Sequence, residues 1–318
     1  MERAPSSTCP RCGAPRAPAP ECPRCGVYYA KAEAHAARKA LAVEVEAPPP
    51  LLAPEPERPP HLPPETLTWE GTAEDARLEL RIRAFAIPGA LLFTWVLHST
   101  GMGHTLLRLF LSMWIHELGH AVTAWFCGLT AFPGPWRTSI GDTRSPLFAL
   151  LLTAGFAALT WRGWKLRQRI PLIAGLALLG LQFVGTVLVG LAKARALVTF
   201  GGDGGLLVLG TLLMTTLYAP QESALRKGAL RWGFLVIGAA AFTDGFKTWW
   251  EARNDFGAIA FGQIEGVGLS DPSKLTDVYG WQINTLISRY VVLGSICLVV
   301  LGMVYVLGVF RARAAVRA

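Results

Sequence analysis

Charge is what this sequence has least of. Only 16% of its 318 residues are Asp, Glu, Lys or Arg, against about 25% in soluble domains. A water-facing surface on a chain of this length needs more than that, so an ordinary cytosolic globule is excluded. Cysteine is also scarce. Of six residues, four sit in two short units near the N-terminus, which excludes a disulfide scaffold. Residues 1–10 (MERAPSSTCP) contain no apolar core of a signal peptide. The first apolar stretch begins near Ala84, so residues 1–83 are expected to stay in the cytosol. Proline becomes rare past residue 65, with 15 of the 22 lying before it.

Apolar residues fill the space that charge leaves. They make up 52% of the chain and the mean hydropathy is +0.37. The pattern predicts an all-α polytopic membrane protein with about six or seven transmembrane helices and a small N-terminal zinc ribbon. The formal net charge of +8 is read as Lys and Arg fixing the cytoplasmic side. Nucleic acid is the less favoured partner.

Composition divides the chain into a Cys/Pro/Gly/Arg-rich module (1–26), an Ala-rich, charged, solvated helix (27–46), a Pro-rich linker (47–64), a juxtamembrane segment (65–83) and a membrane domain (84–318). In the linker 9 of 18 positions are proline, which favours an extended polyproline spacer. Candidate spans are 84–102, 105–127, 146–160, 171–192, 204–219, 230–249 and 288–310. The runs 146–160 and 204–219 fall short of the ~17 residues that a crossing requires.

Basic joints test the topology. Arg162, Lys165, Arg167 and Arg169 form one, Arg226, Lys227 and Arg231 a second, and Arg311, Arg313 and Arg317 the tail. The segment 250–287 carries Glu251, Asp255, Glu265, Asp271 and Asp277 against Arg253 and Lys274. The positive-inside rule places the basic joints and the C-terminus in the cytoplasm and the acidic segment outside, where it reads as a solvated connector. Three spans before residue 161 break that alternation. One must fail to cross, with 146–160 the first suspect, or two must be one broken element.

The central motif is His116-Glu117-Leu118-Gly119-His120, inside the apolar run LLRLFLSMWIHELGHAVTAWFCGL. On a helix, residues i and i+4 share a face, so both imidazoles can grip one metal ion. Neutral imidazole suits zinc. Glu117 stands beside the site as a general base toward a zinc-activated water. Unpaired charges at mid-membrane cost roughly 2.5–3.5 kcal/mol each, and a bound cation offsets this. The third ligand is expected from another helix. Asp203 in FGGDGG is favoured as that ligand, although its position also reads as an ordinary N-cap of the next helix, and Asp244 in FTDGF is the alternative. His98 and His104 read as interfacial. Glu222, Glu251 and Glu265 rank lower because none lies in an apolar segment. Trp249, Trp250 and Trp281 read as an aromatic belt, and Cys127 and Cys297 as small buried hydrophobes.

An HExxH within a span, followed by Asp-Gly tens of residues later, resembles the site-2 protease family of intramembrane zinc metalloproteases over roughly residues 105–219. The resemblance implies His116, His120 and Asp203 as ligands of a catalytic zinc ion, Glu117 as base and a membrane-protein substrate. The rival expectation is a non-catalytic membrane scaffold. A zinc hydrolase acting on lipid is a further one.

Cys9-Pro-Arg-Cys12-Gly and Cys22-Pro-Arg-Cys25-Gly repeat one knuckle. Each CxxC turn presents two thiolates, and two matched knuckles predict one structural zinc ion on Cys9, Cys12, Cys22 and Cys25. Such a module is expected to dock a cytosolic protein partner.

Overall fold

The computed structural model describes residues 7–35, 73–220, 223–226, 229–264 and 268–317. The chain forms two compact units, Met1–Thr68 and Trp69–Ala318. The Pro-rich linker 47–64, most of the expected helix 27–46, Glu222, Lys227 and Glu265 lie outside the described residues.

In the first unit each CxxC turn closes on a glycine. Gly13 N–H donates to Cys9 O at 2.9 Å and Gly26 N–H to Cys22 O at 2.8 Å. Both glycines adopt left-handed φ, +71° and +68°, where a side chain would be strained. The module reaches past residue 26. Tyr29 begins a helical stretch through residue 35 and buries its ring with Cys9 and Cys22. Arg16 stacks 4.5 Å over that ring and ion-pairs with Glu33.

The second unit is helical. It opens with α1 (Ala73–His98), α2 (Gly101–Leu107), a π-helical turn (Arg108–Ser112) and α3 (Met113–Phe126). A hairpin of β1 (Leu129–Pro133) and β2 (Thr138–Arg144) follows, antiparallel with a bulge. Then come α4 (Pro146–Lys165), α5 (Arg169–Phe183), α6 (Leu191–Thr215) and α7 (Leu230–Glu251). A small hairpin, β3 (Gln263–Ile264) and β4 (Gly268–Leu269), leads to one helical turn, α8 (Asp271–Ser273), and to the long α9 (Ile283–Arg317).

Among the described residues, five helical segments are long and apolar enough to cross a membrane: Glu74–His98, Pro146–Lys165, Arg169–Leu188, Leu191–Tyr218 and Ile283–Arg317. The suspect run 146–160 therefore belongs to a full-length apolar helix, opened by Ser145 as N-cap and Pro146 in its first turn. The run 204–219 is likewise the second half of a longer helix, α6. Helix α7 carries Arg231, Asp244, Lys247 and Glu251 and is too charged to qualify by composition.

Side-chain neighbours fix the direction of each helix. Gly210 meets Gly238, and Leu206 meets Gly245, so α6 and α7 are antiparallel. Thr94 and His98 reach Thr243 and Asp244, so α1 runs parallel to α7. Ile115 O lies near Gly205 and Thr123 near Gly201, so α3 is antiparallel to α6. Helices α1 and α3 thus advance in the same direction, with α2 as the step between them. The basic joints now share one end. Tyr218 and Tyr305 bond the carbonyls of Arg83 and Ala84 there, and Arg231 pairs with Glu79 at 3.0 Å. The other end holds the β1–β2 hairpin, whose Arg144 donates to the carbonyls of Cys127, Gly185 and Val189 at the ends of α3 and α5. A cation satisfying last-turn carbonyls suits the helix dipole.

Helix α6 is central: 61% of its apolar window is buried, against 6% for α4. Leu147, Leu150, Ile170, Ile173 and Leu176 of the α4–α5 pair are exposed, as expected of a lipid-facing surface. The core lies between α6, α7 and α9, where Trp249 stacks on Tyr290 at 4.1 Å and Tyr290 on Phe200 at 4.2 Å. Helices α3 and α6 cross with glycine on both sides. A Cβ on Gly119 would meet Gly201 O and would stand 2.8 Å from Gly205 Cα. Small residues let helix backbones touch in this way. Gly119→Ala is expected to lose roughly 1–3 kcal/mol of stability, the usual cost of overpacking, in unfolding measurements on detergent-solubilised protein. Gly302→Ala, with no atom within 4 Å of the new Cβ, is expected to be neutral or slightly stabilising.

Candidate metal centre

Helix α3 presents His116 and His120 on the face packed against α6. Both rings are buried, at 6% and 7% exposure. Their Nε2 atoms stand 3.1 Å apart. A third donor completes a triangle: Asp271 Oδ2 lies 3.1 Å from His116 Nε2 and 2.9 Å from His120 Nε2. These edges are slightly tighter than the roughly 3.3 Å set by zinc bonds of 2.0–2.1 Å in a tetrahedron. The three residues fit one shared metal ion. Gly202 makes the space, since a Cβ there would come within 2.6 Å of His116 Cε1 and His120 Nε2.

The outer nitrogens are tied down. His120 Nδ1 is 2.7 Å from the carbonyl of Val198, which can only accept, so Nδ1 carries the proton. His116 Nδ1 is 3.0 Å from Asp203 Oδ1, and Asp203 Oδ2 accepts from Trp249 Nε1–H at 3.0 Å. In both rings a donating Nδ1 aims the Nε2 lone pair inward. Two lone pairs, or two protons, would repel at this separation, and a shared cation removes the conflict. A carboxylate or carbonyl on the far ring nitrogen is the usual partner of a metal-bound imidazole.

Asp203, expected as the third ligand, therefore sits on the opposite ring nitrogen of His116 from the shared point. It is not an N-cap either. Helix α6 runs unbroken through FGGDGG, because those glycines form the close crossing with α3. Asp244, the alternative, is fully buried elsewhere, with His98, His104 and Arg108. The two histidines expected at an interface are thus drawn onto an interior carboxylate. Trp249, expected in an aromatic belt, is buried and holds Asp203. Trp250 is exposed under Arg253, and Trp281 lies against Arg289. Glu251 pairs with Lys247 at 2.9 Å. Cys127 and Cys297 are buried in helical surroundings, as expected.

Asp271 was hidden in the sequence by a second role. It opens α8 behind the N-cap Ser270 and before Pro272, and acid–proline at a helix start is an ordinary capping pattern. Burial alone would raise its carboxyl. Where the rings also carry a proton on Nε2, as in the metal-free protonated pair, the contacts from His116 and then His120 prevail and hold it well below the usual carboxylate range. The stabilisation from this pairing is present above the ordinary Asp pKa and is lost as acidification reaches the lowered value.

Glu117 is buried one residue beyond the first imidazole. Thr138 Oγ1 lies 2.7 Å from its Oε2 and 2.8 Å from its carbonyl. Strand β2 thereby orients the carboxylate and leaves Oε1 for another partner.

The cysteine module brings its four sulfurs together. Cys9 Sγ is 3.7 Å from Cys25 Sγ, and Cys12 Sγ is 3.8 Å from Cys22 Sγ. A tetrahedron with zinc–sulfur bonds of about 2.3 Å has edges near 3.8 Å. Burial opposes ionisation of Cys22, but the backbone of Arg24 and Cys25 and the adjacent thiols bring it down to about 6. The Val27 backbone favours the Cys25 thiolate, yet burial and the neighbouring sulfurs push Cys25 up to about 12. Four thiols this close share protons unless a cation replaces them.

No family model, curated protein or solved structure matches the chain.

Ligand and orienting roles separate by mutation. Asp271→Ala is expected to lose the α3 metal ion. Asp203→Asn is expected to retain it with affinity weakened about 10–100-fold, the cost of removing such an outer partner. Metal titration of the full chain, read by elemental analysis, distinguishes the two.

Proposed function

We propose that the chain is an intramembrane zinc endopeptidase that hydrolyses a membrane-embedded or juxtamembrane peptide bond of a membrane-protein substrate. The observation that carries this reading is the convergence of His116, His120 and Asp271 within a bundle of apolar helices, with the buried Glu117 next in the chain to the first of them. Two imidazoles and one carboxylate are a catalytic type of ligand set, because three protein donors leave a position open. Four thiolates, as in the N-terminal module, are a structural type.

Once bound, zinc supplies Lewis acidity toward a water molecule and a carbonyl. The rest falls to the chain. Glu117 receives the proton of the attacking water at Oε1 and returns it to the leaving amine. Thr138 holds Oε2, so the free oxygen keeps one orientation through both transfers. Trp249 and Asp203 fix the His116 ring, and the Val198 carbonyl fixes that of His120. A substrate helix must unwind locally to offer a carbonyl, since every backbone group of an intact helix is already bonded.

Topology follows from the stepped first passage. With the basic end in the cytoplasm, the chain makes six passages: α1–α3, α4, α5, α6, α7 and α9. The N-terminal module and the C-terminus then face the cytosol, and the module is free to recruit a cytosolic protein. The metal centre lies in the half of the bundle nearer the β1–β2 hairpin, away from the basic joints. Substrates are therefore cut in their non-cytoplasmic half.

Glu117→Gln is expected to keep the metal and to abolish cleavage of a reporter transmembrane segment in liposomes. His116→Ala is expected to lose both metal and cleavage. Thr138→Val is expected to lower kcat by about 10-fold, equivalent to about 1.4 kcal/mol, with metal content unchanged. Cleavage at the wild-type rate by Glu117→Gln would refute the mechanism.

A further inference from the structure

We propose a second metal-binding site within the membrane unit, formed by His98, His104 and Asp244. It is separate from the α3 centre and independent of the protease reading. Asp244 has no exposed surface and His98 is 6% exposed at its side chain, whereas His104 is 44% exposed. The carboxylate is divided between two tasks. Its Oδ2 accepts from Arg108 Nη1 at 3.0 Å, while Oδ1 faces His98 Nε2 at 3.3 Å and His104 Nε2 at 3.4 Å.

Those two distances are informative. They match the roughly 3.3 Å edge of a tetrahedral zinc site, and the His98 contact is also within hydrogen-bond reach. The imidazole centroids are 4.2 Å apart, and the three donor atoms lie close enough to share one ion. His98 Nδ1 is buried without a hydrogen-bond partner among the described residues, so this ring lacks the outer carbonyl or carboxylate that fixes His116 and His120, which makes its grip on an ion the weaker one.

The fold builds this site from the step in the first passage. Helix α1 ends at His98, Thr100 caps α2, and His104 comes round one turn later to face the same carboxylate. Two imidazoles and one oxygen suit a borderline divalent ion of the zinc class. The exposed edge of His104 leaves the site open on the outside of the bundle. Arg108 on Oδ2 repels a cation, so this ion is held more weakly than the one on His116 and His120.

Zinc-loaded full-length protein in detergent, dialysed and analysed for metal, is expected to carry three ions per chain. His104→Ala is expected to carry two, and in a chelator titration of the wild type this ion leaves first. Cobalt substitution supplies an internal reference. His104→Ala loses part of the weak imidazole–carboxylate bands, and the double variant His116→Ala/His120→Ala loses the complementary part. Thiolate charge-transfer bands of the cysteine module, unchanged in both, report intact protein. Equal ion counts in wild type and His104→Ala would overturn the proposal. Loss of an ion in the double variant alone would overturn it too, while leaving the α3 centre standing.

Discussion

The two bonds on the outer faces of His116 and His120 govern the interior of this protein. The Val198 carbonyl holds one ring and the Asp203 carboxylate the other. Each forces a proton onto Nδ1 and so turns the remaining nitrogen toward a common point. Apolar helices could pack many ways at similar energy, because lipid is as apolar as leucine. A pair of inward lone pairs removes that freedom. It demands a cation and an anionic partner, and the arrangement of α3, α6 and the α8 segment answers the demand.

Glycine makes that arrangement reachable. Gly119, Gly201 and Gly205 bring α3 and α6 into backbone contact, and Gly202 clears the volume that the imidazoles fill. The spacing between the centre and its orienting groups therefore depends on main-chain dimensions rather than on rotamers. At the same depth the stepped first passage places Arg108 and two further histidines around Asp244. All four histidines beyond residue 65 thus stand against carboxylates inside the bundle.

How much of this could be read from the letters varies by residue. HELGH is legible because ionisable side chains at three of five consecutive positions contradict the surrounding apolar text. The paired CPRCG units are legible because the duplication itself implies a shared ion. Asp203 is visible as important, but its role is not. Glycines flanking an acid read equally as a helix start or as a helix crossing, and only the partner helix decides. Asp271 is invisible among five acids of a polar connector, because its capping context already explains it. The stepped passage is half legible. Charge alternation flags an irregularity before residue 161 without saying which run carries it, and the helix interruption at Ser99 and Thr100 falls within apolar text that hydropathy does not mark.

Asp271 has a consequence for biosynthesis. The two imidazoles reside on the first passage, whereas the carboxylate that closes their triangle is translated about 150 residues later, on a connector that never enters the apolar helices. A nascent chain with α3 and α6 already paired holds only an incomplete nest for the ion. An ion held by this triangle would be captured only after the connector folds back over the bundle, so metallation would wait until most of the chain has been made.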